Sequence, residues 1–213
     1  MVTLHDDTLQ LAAGGTGPRV GVFALQGDFR EHAVMLAELG AQVVLVRRPA
    51  DLDGLSGIVF PGGESGVMDK LAKIFGLFEP LRAAIRAGLP AYGTCAGMIL
   101  LANTILDAAP GQETLGGLDV VVRRNAFGAQ NQSFETDLFI PELGAEPVHA
   151  TFIRGPVVES VGPAARVLSA LPDGRVVAVE QGHLLATSFH PEMNGERRFH
   201  EYFLGRLAAR QHP

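Results

Sequence analysis

From Arg19 onward, short apolar stretches alternate with helix-patterned segments, and this alternation restricts the possible folds more than any other feature. Val20-Gly21-Val22-Phe23-Ala24-Leu25 is short, apolar and partly β-branched, as a buried strand must be. Asp28 is placed to cap a helix over 28–39, with Val34, Leu36, Ala37 and Leu39 as its apolar positions and Gly40 as its stop. Strands follow at 43–46 and 57–60, then a helix over 67–87 interrupted near Gly76 and closed by Gly88, a strand at 89–92 and a helix over 96–106. Strands without a polar face, joined through helices, imply an α/β fold: an open, mostly parallel sheet with helices on both faces. After Gly116 the rhythm changes. Strand-like segments at 120–122, 133–140, 150–153, 166–169, 176–179 and 184–189 suggest an antiparallel extension that returns to the main sheet, before an amphipathic closing helix over 197–210.

Size and composition narrow the function classes. A chain of 213 residues, 47% apolar, can build one core unaided, so 20–213 is expected to form a single domain. Residues 1–19, with Asp6-Asp7 and Gly14-Gly15-Thr16-Gly17-Pro18, are expected to be a disordered N-terminal tail. They lack the early positive charge and longer apolar stretch of a secretory signal. The single cysteine excludes an internal disulfide and fits a reducing, cytoplasmic setting. A net charge of −6 disfavours nucleic acid or an anionic membrane as the main partner. No run approaches the ~18 apolar residues of a membrane span. His5, His32, His149, His183, His200 and His212 form no metal-site spacing, and no cofactor is implied.

Three short stretches carry chemistry. Gly93-Thr94-Cys95-Ala96-Gly97 places the only thiol where a strand ends and a helix begins. Unpaired N–H groups at such a junction favour thiolate over thiol, and flanking glycines permit a sharp turn. The Ala96 N–H then faces a developing oxyanion, the logic of a nucleophile elbow. On these five residues alone, a small core cysteine accounts for the pattern equally well. In Ser188-Phe189-His190-Pro191-Glu192, an extended backbone puts His190 and Glu192 on one face, where a carboxylate orients an imidazole base. A strand-end histidine beside a solvated glutamate is the ordinary alternative. Phe60-Pro61-Gly62-Gly63-Glu64-Ser65 offers backbone N–H groups to an oxyanion or phosphate. A plain turn is the alternative, and without a following Gly-Lys-Ser/Thr it is no nucleotide loop. All three lie at the carboxyl ends of expected strands, where open α/β sheets place their sites. Together they suit acyl transfer through a thioester.

At these residues the sequence resembles the triad (class I) glutamine amidotransferases, which have a flavodoxin-like fold. Within them it resembles the branch that feeds ammonia to pyridoxal 5′-phosphate synthase. The branch stretches are Ala24-Leu25-Gln26-Gly27 with Glu31-His32, Pro61-Gly62-Gly63-Glu64-Ser65, Gly93-Thr94-Cys95-Ala96-Gly97, Arg124-Asn125-Ala126-Phe127-Gly128, Phe152-Ile153-Arg154 and Ser188-Phe189-His190-Pro191-Glu192. The resemblance implies that Cys95 attacks the side-chain amide of L-glutamine, with His190 shuttling the proton and Glu192 orienting it. It implies an oxyanion hole of Gly62, Gly63 and Ala96, and contacts to the amino-acid end of glutamine from Gly63, Glu64, Ser65, Arg124, Ile153 and Arg154. It also implies a (β/α)8-barrel synthase subunit as partner in a hetero-oligomer, docking near Gln26 and Gly62-Gly63. Where the family usually has two threonines after Glu-Ser, this chain has Gly66-Val67. Two other functions stay open: a glutaminase for another ammonia acceptor, and a flavodoxin-like domain with a redox cysteine.

Overall fold

The computed structural model describes residues 15–124 and 133–211. In β1 (Arg19–Phe23) every residue after Arg19 is buried. The strand runs parallel to β2 (Gln42–Val46) on one side and β3 (Gly57–Phe60) on the other, with Val20 opposite both Val43 and Gly57. β4 (Ala91–Thr94) pairs in parallel with β3 and with β12 (Leu184–Thr187), giving a parallel block in the order β2-β1-β3-β4-β12. Successive residues of these strands enter opposite cores, as a pleated strand requires. Ile58, Phe60, Ala91 and Leu184 join one core, closed by α2 (Ser65–Ile74), α3 (Phe78–Arg86) and α4 (Ala96–Leu101) through Met68, Leu81 and Met98. Val59, Tyr92 and Leu185 join the other, closed by α1 (Phe29–Glu38) and α5 (Arg198–Gln211) through Leu36, Phe199 and Phe203. Helices therefore cover both faces of the sheet. No described helix is long and apolar enough to cross a membrane.

Beyond β12 the sheet becomes antiparallel. β11 (Val176–Gln181) pairs antiparallel with β12, with β9 (Val157–Val161) and with β10 (Arg166–Ala170); β9 pairs antiparallel with β6 (Leu118–Arg123). β5 (Ala102–Leu106) ends this side, parallel to β6. β7 (Ser133–Leu138) and β8 (Val148–Ile153) do not join that extension but form a separate antiparallel ribbon. Aromatic contacts seat it on the second core: Phe134 stacks on Phe152 at 4.5 Å between ring centroids, Phe152 lies 5.5 Å from Phe189, and Phe189 lies 5.4 Å from Phe199.

Other departures have local causes. The helix expected over 96–106 stops at Leu101, and 102–106 pairs with β6 instead, where Asn103 Oδ1 also accepts the Gly117 N–H at 2.9 Å. The helix expected over 67–87 is two helices, α2 and α3, broken where Gly76 takes φ +68°. The strand expected at 89–92 begins after Pro90, whose carbonyl accepts the Ile58 N–H. Strand β9 forms where the sequence pattern predicts no strand. Asp28 precedes α1, but its side chain makes no capping bond.

Candidate active site

Cys95 joins β4 to α4 with φ +49° and ψ −103°, a conformation that costs a non-glycine residue roughly 1–3 kcal/mol. Its surroundings hold it there: the Cys95 N–H donates to Thr187 O at 2.7 Å, and its carbonyl accepts the Met98 N–H at 3.1 Å. The fencing glycines allow backbone contact around this turn. A Cβ on Gly93 would sit 2.5 Å from the Gly97 carbonyl, and one on Gly97 would sit 2.2 Å from Phe60 O. Cys95 is 6% exposed, with Sγ 4.0 Å from Ile153 O.

His190 follows β12 and is fastened to the ribbon by its N–H, which donates to Thr151 O at 2.9 Å. Its Nδ1 lies 2.8 Å from Glu192 Oε1. The expected extended geometry is absent: Pro191–Met193 forms a 3-10 turn, and this turn folds the carboxylate back onto the ring. Cys95 acts on the same imidazole, as one of the two groups that raise the His190 pKa. Burial alone would lower the His190 pKa, but the bonds and charges of Cys95 and Glu192 outweigh it and push the value up to about 10. Burial likewise opposes ionisation of Glu192, yet the charge of His32 and the bond from His190 hold its carboxyl well below the usual range. A carboxylate bound to the imidazole and a thiol that interacts with it are the groups needed to pass one proton along a series.

The Gly62-Gly63 turn lies against this imidazole. A Cβ on Gly62 would come 2.1 Å from His190 Cε1, and Gly63 has φ +149° beside the Gln26 amide. Two bonds tie the turn to the loop after β1: the Asp28 N–H donates to Gly62 O at 3.1 Å and the Glu64 N–H to Gln26 Oε1 at 3.0 Å. Beyond it, Arg124 donates to Glu64 Oε1 at 2.6 Å and to Gln112 Oε1 at 2.8 Å, while Gln112 Nε2 donates to the buried Ser65 hydroxyl at 3.0 Å. Arg154 follows β8 with φ +47°, exposed and without an ion pair among the described residues. Thus Glu64, Ser65 and Arg124 are joined in one network, and Ile153 reaches Cys95, whereas Arg154 stands apart from that network. The stretch Asn125-Ala126-Phe127-Gly128 lies outside the described residues.

The structure adds groups the sequence did not single out. His32 Nε2 lies 3.4 Å from Glu192 Oε1 and 3.0 Å from Thr94 Oγ1, and its Nδ1 lies 2.8 Å from His200 Nε2. Asp28 Oδ2 lies 3.9 Å from His190 Nδ1; burial raises its carboxyl pKa, with the charge of His190 opposing. No spacing rule links residues 28 and 32 to His200 or to His190 and Glu192, and the only hint of His32 is the Glu31-His32 stretch.

Known proteins resemble this chain in sequence and fold. The curated relatives include "Pyridoxal 5'-phosphate synthase subunit PdxT" of Leifsonia xyli subsp. xyli, 66% identical over 91% of this chain and 98% of that one. The same-named protein of Clavibacter sepedonicus is 65% identical over 91% of this chain and 92% of its own. A crystal structure of a glutamine amidotransferase superposes with a TM-score of 0.82 at 45% identity, covering 89% of this chain and 98% of that chain. The PurLQS structure from Thermotoga maritima, 17% identical with a TM-score of 0.63 over 90% of this chain and 100% of that one, shares the fold. Residues 22–209 match the SNO glutamine amidotransferase family as a whole, and this chain belongs to that family.

Proposed function

We propose that this chain is the glutaminase subunit of a pyridoxal 5′-phosphate synthase. It hydrolyses L-glutamine to L-glutamate and ammonia through a thioester on Cys95, and hands the ammonia to a (β/α)8-barrel synthase protein in a hetero-oligomer. The observation that supports this best is a strained cysteine that, with Glu192, raises the pKa of His190, whose Nδ1 meets Glu192 Oε1 at 2.8 Å. A redox cysteine needs no such oriented base.

The steps follow from these groups. Sulfur attacks the side-chain carbonyl carbon of glutamine, and the carbonyl oxygen gains charge beside the N–H groups of Gly62, Gly63 and Ala96. The proton shared by the Cys95–His190 pair goes to the amide nitrogen as the C–N bond breaks, releasing ammonia and leaving the thioester. Water then gives a proton to the now neutral His190 and attacks the same carbon, and the departing sulfur recovers that proton with glutamate as product. Arg124 and Arg154 suit the α-carboxylate, and Glu64 with the Ile153 carbonyl suits the α-ammonium. The docking face includes the loops around Gln26 and Gly62-Gly63, so partner binding acts directly on the oxyanion donors.

The test is ammonia release from glutamine by wild type and Cys95→Ala, each with and without the synthase partner. Wild type with partner is expected to be fast, and Cys95→Ala to be at least roughly 10³-fold slower. Equal rates with and without partner would remove the gating, and persistent Cys95→Ala activity would remove the thioester.

A further inference from the structure

Glu192 is held from two sides. Its Oε1 lies 2.8 Å from His190 Nδ1 and 3.4 Å from His32 Nε2, and the side chains of His32 and Glu192 have no exposed surface. Nothing in the reaction above uses His32. We propose that His32, seated on His200, is a positioning residue that fixes the Glu192 carboxylate, and through it the His190 ring, for glutamine hydrolysis. The inference rests on the glutaminase reading.

Proton placement supports it. His200 is fully buried; burial first and the charge of His32 second push its pKa down to about 3, so it is neutral with a single N–H. Its Nδ1 has no hydrogen-bond partner, while its Nε2 faces His32 Nδ1 at 2.8 Å. A His32 ring protonated only on Nδ1 would turn an Nε2 lone pair toward the Glu192 anion, a repulsive contact in a buried site. Either ring can supply the one proton between His200 Nε2 and His32 Nδ1, and in both cases the arrangement that avoids this repulsion keeps a proton on His32 Nε2. The His32 Nε2–H then points at Thr94 Oγ1 at 3.0 Å and Glu192 Oε1 at 3.4 Å. Fixing one imidazole nitrogen sets the tautomer and orientation of the other. Glu192 Oε2 has no partner, so among the described residues the two imidazoles are what offset the burial of this charge. The titratable groups around His32 are Asp28 just before its helix and Glu31 on it, Tyr92 from β4, His190 and Glu192 after β12, and His200 from α5. Without His32, Glu192 and Asp28 both protonate at higher pH, so the acid limb of the rate profile rises.

The experiment measures ammonia release, with the synthase partner present, for wild type, His32→Leu and His32→Gln across roughly pH 5 to 9. In His32→Leu, kcat is expected to fall roughly 10- to 100-fold, as for other groups that orient a functional histidine. The KM for glutamine stays within about twofold, because binding contacts are untouched. The acid limb moves up in His32→Leu, and His32→Gln, whose amide nitrogen reaches the Nε2 position, regains most of the rate. An unchanged kcat in His32→Leu, or a loss with an unmoved acid limb that His32→Gln does not repair, overturns the inference. Should His32→Leu fail to fold, the imidazole ¹⁵N shifts of the wild-type chain decide: a proton on His32 Nε2 at neutral pH supports it and a bare Nε2 overturns it. Normal wild-type hydrolysis alongside either negative result leaves the glutaminase reading standing, whereas absent wild-type hydrolysis overturns both.

Discussion

Gly62 lies so close to His190 that any side chain there would displace the imidazole: a Cβ would meet Cε1 at 2.1 Å and Nδ1 at 2.8 Å. Its φ is not in the left-handed region, so the constraint is contact with the ring and not the backbone. Gly62→Ala is therefore expected to leave the fold intact while lowering kcat by roughly 100-fold, the scale of a displacement near 1 Å at a reacting group. Circular dichroism and ammonia release check the two halves separately, and a rate within about threefold of wild type would refute the argument. The residues with local signatures were the legible ones. Cys95 was marked by its glycines, and His190 and Glu192 by their two-residue spacing, although a 3-10 turn and not an extended strand joins them. His32 and Asp28 were not legible as partners of this site, because each acts across contacts with residues more than a hundred positions away.

At the scale of elements, α2 carries a glycine near its start. Gly66 lies in its first turn, where a Cβ would meet Ala109 Cβ and Gln112 Oε1 at 3.5 Å, ordinary contact. Nothing in the packing requires glycine there, and glycine raises the entropy lost on folding. Gly66→Ala is expected to stabilise the chain by about 0.4–1 kcal/mol, read as a higher urea midpoint with unchanged slope. A lower midpoint would mean that the turn before α2 needs the freedom of glycine. Elements with uniform apolar runs, such as β1 and β3, were legible because both faces are buried. The segment 102–106 was misread because Met98 to Leu101 leads into it without a break in apolar character, and only pairing with β6 makes it a strand. β9 was missed for a related reason: Glu159 and Ser160 interrupt its apolar pattern, and its pairing with β6 and β11 is non-local.

Across the whole molecule, the site exists because three parallel strands end together. β3 delivers Gly62-Gly63, β4 delivers Cys95, and β12 delivers His190 with Glu192, while the β7–β8 ribbon braces His190 through Thr151. The sheet order β3-β4-β12 makes residues far apart in sequence into neighbours, and this adjacency is the ordinary location of sites in open α/β sheets. Treatment with a diazoketone analogue of glutamine, with the synthase partner present, followed by peptide mass spectrometry, tests the central claim that these groups make Cys95 the nucleophile toward glutamine. The account predicts a single adduct on Cys95, suppressed by excess glutamine. An unlabelled Cys95, or labelling that glutamine does not suppress, would contradict it.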